Sequence, residues 1–358
     1  MRKKIFLLLP LSLLAVAVIW SAAAGDAADP LASLSYLNGI FTSKVDAAVN
    51  VRLDNSDVPL QGDSQNEAAA PAAWSEVRLK QDDVLQASTG DSVLLLAGSG
   101  LVTYPSGAVV DVTSGAVLPS GGSLAARHRY LVAEDTTASF VVTSKTAVVD
   151  YQGSCIFQYS AATDYNAMAA ALKSMHLFYG SPTGYGQGFD LEAAPTRLQA
   201  LIMFIRVLGE EDEALAWSGT CPFTDVQPGT NGAKYVGYAY ERGYTNGYGA
   251  GQFRPSVRVN ARQYTEFILR ALGYSSAANT DLSGTLARAQ SVGVLTEGEV
   301  AMLQRDSFLR AELVYISYYA LEAQVSGTGR TLGETLMEKG IFTQFERDTA
   351  PSVMNWRL

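Results

Sequence analysis

Three arginines stand in the opening turns of three helices predicted in the second half of the chain. They are Arg197 in Thr196-Arg197-Leu198-Gln199, Arg262 in Asn260-Ala261-Arg262-Gln263, and Arg310 in Leu309-Arg310-Ala311-Glu312. A guanidinium is a planar, permanently charged fork suited to gripping a carboxylate through two charge-assisted hydrogen bonds. The positive end of a helix favours an anion beside it. The plainer reading of each arginine is a solvated or salt-bridging side chain. Thr196 with Gln199, and Asn260 with Gln263, have capping-box spacing and read as helix starts. Arg206 and Arg270 lie near helix ends, where a cation complements the dipole. Tyr235, Tyr238, Tyr240, Tyr244 and Tyr248 offer rings on which sugars stack, although at helical spacing most such rings line a core. Of these, Tyr235 is kept as a candidate. Asp225, in Phe223-Thr-Asp225-Val226, is open to two readings, an acceptor for a sugar hydroxyl or a turn residue.

Catalysis has no comparable constellation. His128 and His176 fall in different regions, and neither neighbours a nucleophile motif such as G-x-S-x-G. Asp82-Asp83 and Glu210-Glu211-Asp212-Glu213 are carboxylate runs, which read as solvated surface. Cys155 and Cys221 are too few for a cysteine zinc site, and whether they pair is left open. The expectation is a protein with no catalytic residue, no metal and no cofactor.

A net charge of −9 argues against nucleic acid, which demands a basic surface, while a few local arginines can still serve a polyanion. The N-terminus reads as a secretory signal over residues 1–24. Arg2-Lys3-Lys4 precedes an apolar run from Ile5 to Trp20, and Ser21-Ala22-Ala23-Ala24 offers small residues for cleavage. An uncleaved membrane anchor is the rival reading of that run. No other segment is long and apolar enough to span a bilayer, so no membrane span is expected after cleavage.

The elements that must position these residues follow from periodicity. Residues 25–73 read as short helices and a linker. Between 74 and 155 the apolar period is two, in runs such as Val93-Leu-Leu-Leu96, Tyr130-Leu-Val132 and Ala147-Val-Val149, separated by glycine turns about every ten residues. From Asp164 onward the period is helical. Two helices joined by a loop recur three times, over 164–219, 220–278 and 279–345, with a tail at 346–358. The first members stop at His176, Gly243 and Gly293. Phe189 precedes Thr196 by the same seven residues that separate Phe253 from Asn260. The second helix of the first repeat is apolar almost all round and is expected to be the most buried.

The second repeat carries Phe223-Thr-Asp225-Val226, Tyr235, Gly243-Tyr-Thr-Asn-Gly247-Tyr-Gly-Ala-Gly251-Gln-Phe253-Arg-Pro255 and Arg270-Ala-Leu272-Gly273. With its two neighbours it resembles the S-layer homology (SLH) domain family across about half the chain. The strand periodicity over 74–155 predicts a small all-β barrel or sandwich, and the resemblance implies that an all-α, pseudo-threefold bundle of three SLH repeats follows it. It implies non-covalent attachment to a secondary cell-wall polysaccharide, anionic or pyruvylated, through clefts between repeats. The family's ligand arginine carries over to Arg197 and Arg310. In the second repeat the arginine is displaced to Arg262, about 100° around the helix, and the loop aspartate of the family pattern is replaced by Gln187 and Ala250. The third repeat has Thr296-Glu-Gly-Glu299 in place of the glycine loop. The implied product is an exported, wall-associated surface protein displaying a β domain, of open oligomeric state. An envelope enzyme or assembly factor working through the β domain, and a structural S-layer subunit, are the alternatives.

Overall fold

The computed structural model describes residues 73–358 apart from 134, 182, 277 and 354–356. The leader expected over 1–24, and all but the last residue of the segment 25–73, lie outside the described residues.

Ten strands build the first region: β1 Ser75–Lys80, β2 Val84–Ser88, β3 Ser92–Ala97, β4 Gly100–Thr103, β5 Val109–Asp111, β6 Ala116–Leu118, β7 Arg129–Val132, β8 Thr137–Val142, β9 Thr146–Gln152 and β10 Ile156–Gln158. They form two antiparallel sheets in the orders β1-β9-β3-β7-β5-β6 and β10-β2-β8-β4, so the choice between barrel and sandwich resolves as a sandwich. Alternation along the strands sends Leu79, Leu85, Val93, Leu95, Val102, Tyr130, Phe140 and Val149 into one shared core. Burial of each such large side chain contributes about 1.5–3 kcal/mol. Asp83, read from its run as solvated, is buried: its carboxylate accepts from Lys80 Nζ at 2.7 Å and from the Ser160 N–H at 2.7 Å.

Helices make up the rest: α1 Tyr165–Ser174, α2 Arg197–Val207, α3 Glu211–Ala216, α4 Asn231–Glu241, α5 Ala261–Ala271, α6 Thr285–Ser291, α7 Glu297–Arg305, α8 Arg310–Ala320, α9 Leu332–Glu338 and α10 Gln344–Asp348. Thr196 and Asn260 close full capping boxes with Gln199 and Gln263, which is why α2 and α5 begin where they do. Thr296 and Glu299 do the same for α7, a helix that stands where the third repeat lacks a glycine loop. His176 takes φ 61°, the left-handed stop that Gly243 and Gly293 provide elsewhere.

The packing is cyclic. Helices α2, α5 and α8 touch one another at the centre. Around them α4 packs on α2, α6 on α5, and α1 on α8, so each first helix lies against the second helix of the preceding pair. The most buried helix is α8, not α2. It also meets the sandwich, through Lys145, and its buried set runs from Arg310 to Ala320 with only Tyr318 left out. At the centre the Tyr264 hydroxyl meets Ser317 Oγ at 2.6 Å, and Ser317 donates to the Leu313 carbonyl at 2.7 Å. The two cysteine thiols are free.

The sandwich is docked on the helices. Arg78 of β1 reaches Glu192 at 2.6 Å, Asn166 Oδ1 at 2.7 Å and the Gly186 carbonyl at 3.1 Å. Lys145, in the β8–β9 turn, pairs with Asp306 at 2.9 Å and with Glu312.

Candidate functional site

The segment before α5 pins the start of α2, and the segment before α2 pins the start of α8. Arg197 N donates to the Val257 carbonyl at 2.7 Å and Leu198 N to that of Pro255 at 3.1 Å. In the same register on α8, Arg310 N donates to Ala193 O at 2.8 Å and Ala311 N to Leu191 O at 3.1 Å. Two of the amides that make a helix N-terminus attractive to an anion are therefore already occupied on α2 and α8. Any anion grip there must come from the guanidinium.

Arg197 lines a cleft of about 530 Å³ between α2 and the second pair's glycine loop. It is only 9% exposed, and its Nε–H has no hydrogen-bond partner. Its Nη2 reaches Thr245 Oγ1 and the Gly247 carbonyl, each at a weak 3.4 Å. The rings of Phe253, Tyr248 and Phe267 lie 4.9, 5.8 and 6.0 Å from its guanidinium carbon. Among the described residues no carboxylate pairs with it. Burial pulls the Arg197 pKa below its ordinary value, and neighbouring Arg270 pulls in the same direction. Tyr248, half exposed, sits at the rim.

The opposite wall carries Gln263, Glu266, Arg270 and Asn279. Glu266 does not neutralise Arg197. It accepts from Ser275, from Asn279 Nδ2 at 3.1 Å, from Thr285 Oγ1 at 3.0 Å and from Arg270 Nε at 3.4 Å. Arg270, read from sequence as a dipole complement, also donates to the carbonyls of Tyr244 and Asn279 at 2.8 and 2.9 Å, and it lines the cleft beside Arg197. The cleft therefore presents two guanidinium groups, a buried acid held by its own donors, and a tyrosine rim.

Arg310 lines a second cleft of about 210 Å³, with Arg206, Gln199 and Phe178. It is 8% exposed, its Nε donates to the Phe189 carbonyl at 3.1 Å, and the Phe178 ring lies at 5.5 Å. Burial lowers its pKa while Asp190 and, more weakly, Glu192 oppose that. Arg206 pairs with Glu211 at 2.8 Å and lies 4.7 Å from the exposed ring of Tyr179.

Arg262 behaves differently. The one-residue displacement leaves Ala261 in the buried first position and Arg262 exposed. The adjacent cavity, about 210 Å³, contains Asp306. Where α2 and α5 carry Gln199 and Gln263 in their third position, α8 carries Glu312, fully buried against Lys145. This third cavity is lined by Arg262 as well as Asp306, and Lys145 of the sandwich pairs with Asp306 and with Glu312.

The remaining two candidates have their polar atoms engaged within the chain. Tyr235 is 5% exposed, its hydroxyl donates to Glu211, and its pKa is pushed to about 12 by burial and then by that carboxylate. Asp225 is a turn residue: its two oxygens accept from the Phe253 and Arg254 N–H groups at 2.8 and 2.7 Å, shaping the glycine loop. Burial nudges its carboxyl up, but these donors outweigh that and hold it below the usual range. Of the five candidates, then, Arg197 and Arg310 face clefts as buried cations, Arg262 is solvated, and Asp225 acts one step back from the Arg197 cleft. Sequence reasoning missed Arg270 and Gln263 as cleft residues, and it named Tyr248 only as one of five rings without choosing it. Their only signal was position, on the face of α5 and in the loop turned toward the preceding pair.

Among the described residues no group of His, Cys, Asp or Glu side chains is arranged to hold a metal, and no helix is long and apolar enough to cross a membrane.

Comparison with known proteins adds the following. Residues 222–260 match the S-layer homology domain family. A cell surface protein of Thermoanaerobacter kivui is 33% identical over 159 residues, which is 42% of this chain and 20% of that protein. The chain thus spans about a fifth of the length of the relative it matches. Among solved structures, the coconut allergen cocosin covers 29% of each chain at 14% identity with a TM-score of 0.18. Procruciferin, an 11S globulin from Brassica napus, covers 28% of this chain and 26% of its own at 13% identity with a TM-score of 0.17. At that similarity neither carries an argument.

Proposed function

We propose that this S-layer homology domain protein is a cell-surface protein that attaches non-covalently to an anionic cell-wall polysaccharide, through inter-repeat clefts of a three-repeat, pseudo-threefold SLH bundle. SLH domains generally bind cell-wall polymers, and the cyclic packing of α1, α2, α4, α5, α6 and α8 supports extending the family beyond the matched segment. The observation that carries the reading is Arg197, a buried guanidinium with an orphan N–H, no anionic partner among the described residues and an open cleft before it. Leaving a buried charge unpaired is costly. A protein that keeps one facing solvent-accessible space has a use for it as an anion receptor. The rim tyrosine adds a face for a sugar ring. No bond is made or broken in this reading, and the Arg197 and Arg310 clefts are the two binding sites.

The test is co-sedimentation of the leader-free chain with isolated cell walls, before and after the walls are stripped of anionic polymers. The chain should pellet with intact walls, remain in solution with stripped ones, and be released as ionic strength rises. Equal pelleting with both wall preparations would overturn the proposal.

A further inference from the structure

The second pair holds its own glycine loop with Asp225, whose carboxylate ties down the Phe253 and Arg254 amides. The first pair has no such clamp. The one acid between β10 and α1 is Asp164, and it caps α1 by accepting from the Ala167 N–H at 2.9 Å. Its loop is held on one side by the Ser181 N–H, which donates to the Gly188 carbonyl at 2.6 Å, and on the other from outside, by Arg78 of the sandwich. That guanidinium, 6% exposed, donates to the Gly186 carbonyl, lies 5.6 Å from the Phe189 ring, and pairs with Glu192. The far side of the same segment builds the Arg310 cleft: the Phe189 carbonyl receives Arg310 Nε, and the Leu191 and Ala193 carbonyls receive the first amides of α8. Glu192 is also one of the two carboxylates whose field reaches Arg310.

We propose that Arg78 is a positioning residue for the Arg310 cleft: by fixing the Gly186–Phe189 loop and occupying Glu192, the sandwich leaves Arg310 free for an external anion. The β domain is then part of the attachment module as well as its cargo. Without Arg78, the loop loses its tie to the sandwich at Gly186 and Glu192 becomes a competing internal partner for Arg310. Lysine cannot replace it, because one ammonium does not span the carboxylate, amide and carbonyl acceptors that the planar fork serves together.

The functional consequence rests on the wall-attachment reading above, so the experiment separates the two. In the leader-free chain carrying Arg197→Ala, residual wall binding reports the Arg310 cleft. Adding Arg78→Ala should lower it to the level of Arg197→Ala with Arg310→Ala, and Arg78→Lys should give a partial loss. In an Arg310→Ala chain, which reports the Arg197 cleft, Arg78→Ala should change nothing. Unchanged binding in the first background, or equal loss in both, overturns the proposal. If Arg197→Ala with Arg310→Ala binds walls as the parent does, the wall reading has failed instead, and amide exchange decides the positioning role. Arg78→Ala should then speed exchange at Arg310 and Ala311 on the order of tenfold or more, with Arg197 and Leu198 unaffected. No difference between the two pairs overturns it.

Discussion

Arg197 offers a prediction in which stability and binding move in opposite directions. Consider Arg197→Met, which keeps an unbranched stem of similar reach and removes the charge. The orphan Nε–H is a buried donor whose lack of a partner costs about 1–3 kcal/mol. The two Nη2 contacts at 3.4 Å are at the weak end of hydrogen bonding, so little is lost with them. The ring contacts with Phe253, Tyr248 and Phe267 are worth about 0.5–2 kcal/mol together, and a methionine sulfur recovers part of that. Relief from Arg270 adds in the same direction. The net expectation is a gain of about 1 kcal/mol. That should appear as a higher urea midpoint with an unchanged m-value and a melting temperature raised by about 2–4 °C. The same variant should lose wall binding at the Arg197 cleft, the pattern expected where a functional residue is held at a cost to the fold. A loss of more than about 1 kcal/mol on Arg197→Met would show that the guanidinium is a structural tie and would refute the reasoning.

Further outcomes follow from the same structure. Ser317→Ala should destabilise by about 1–3 kcal/mol, because it strands the buried Tyr264 hydroxyl, whereas Tyr264→Phe leaves Ser317 bonded to the Leu313 carbonyl and should cost less; denaturation of both variants checks the order. Lys145→Ala should cost about 3 kcal/mol by leaving Glu312 buried without a cation, and adding Glu312→Gln, the type α2 and α5 carry there, should recover most of it in a melting series. Asp225→Ala should cost about 1–2 kcal/mol and loosen the Arg197 cleft, seen as faster amide exchange at Phe253 and Arg254. Because the folded Asp225 pKa lies below the unfolded one, its contribution is complete at neutral pH and fades as pH falls below about 4; a pH series of melts on parent and variant should converge there.

Much of this architecture is legible in local chemistry. Thr196 with Gln199, and Asn260 with Gln263, mark helix starts because the capping box is satisfied within four residues. The runs around Val93, Tyr130 and Ala147 mark strands because alternation is local. Short strands such as β6 and β10, three residues each, carry too little pattern to read. Non-local pairings are where local reasoning fails. Asp83 looks solvated until β10 brings Ser160 to it. Arg78 and Lys145 carry no motif, and their partners Glu192 and Glu312 lie 114 and 167 residues along the chain. The α8 helix becomes the most buried because α1, α2 and α5 all pack on it, which its own periodicity does not encode. Arg270 was legible as a helix-end cation but not as a cleft residue, since the facing Arg197 comes from another pair.

That buried arginines without a carboxylate partner among the described residues bind the wall is tested most directly by wall co-sedimentation of the chain from residue 25 onward with Arg197→Ala, Arg262→Ala and Arg310→Ala compared separately. Loss of binding in Arg197→Ala and Arg310→Ala, with Arg262→Ala unchanged because that side chain is solvated, is the result expected from the geometry. Parent-level binding in all three, or a loss confined to Arg262→Ala, would contradict it.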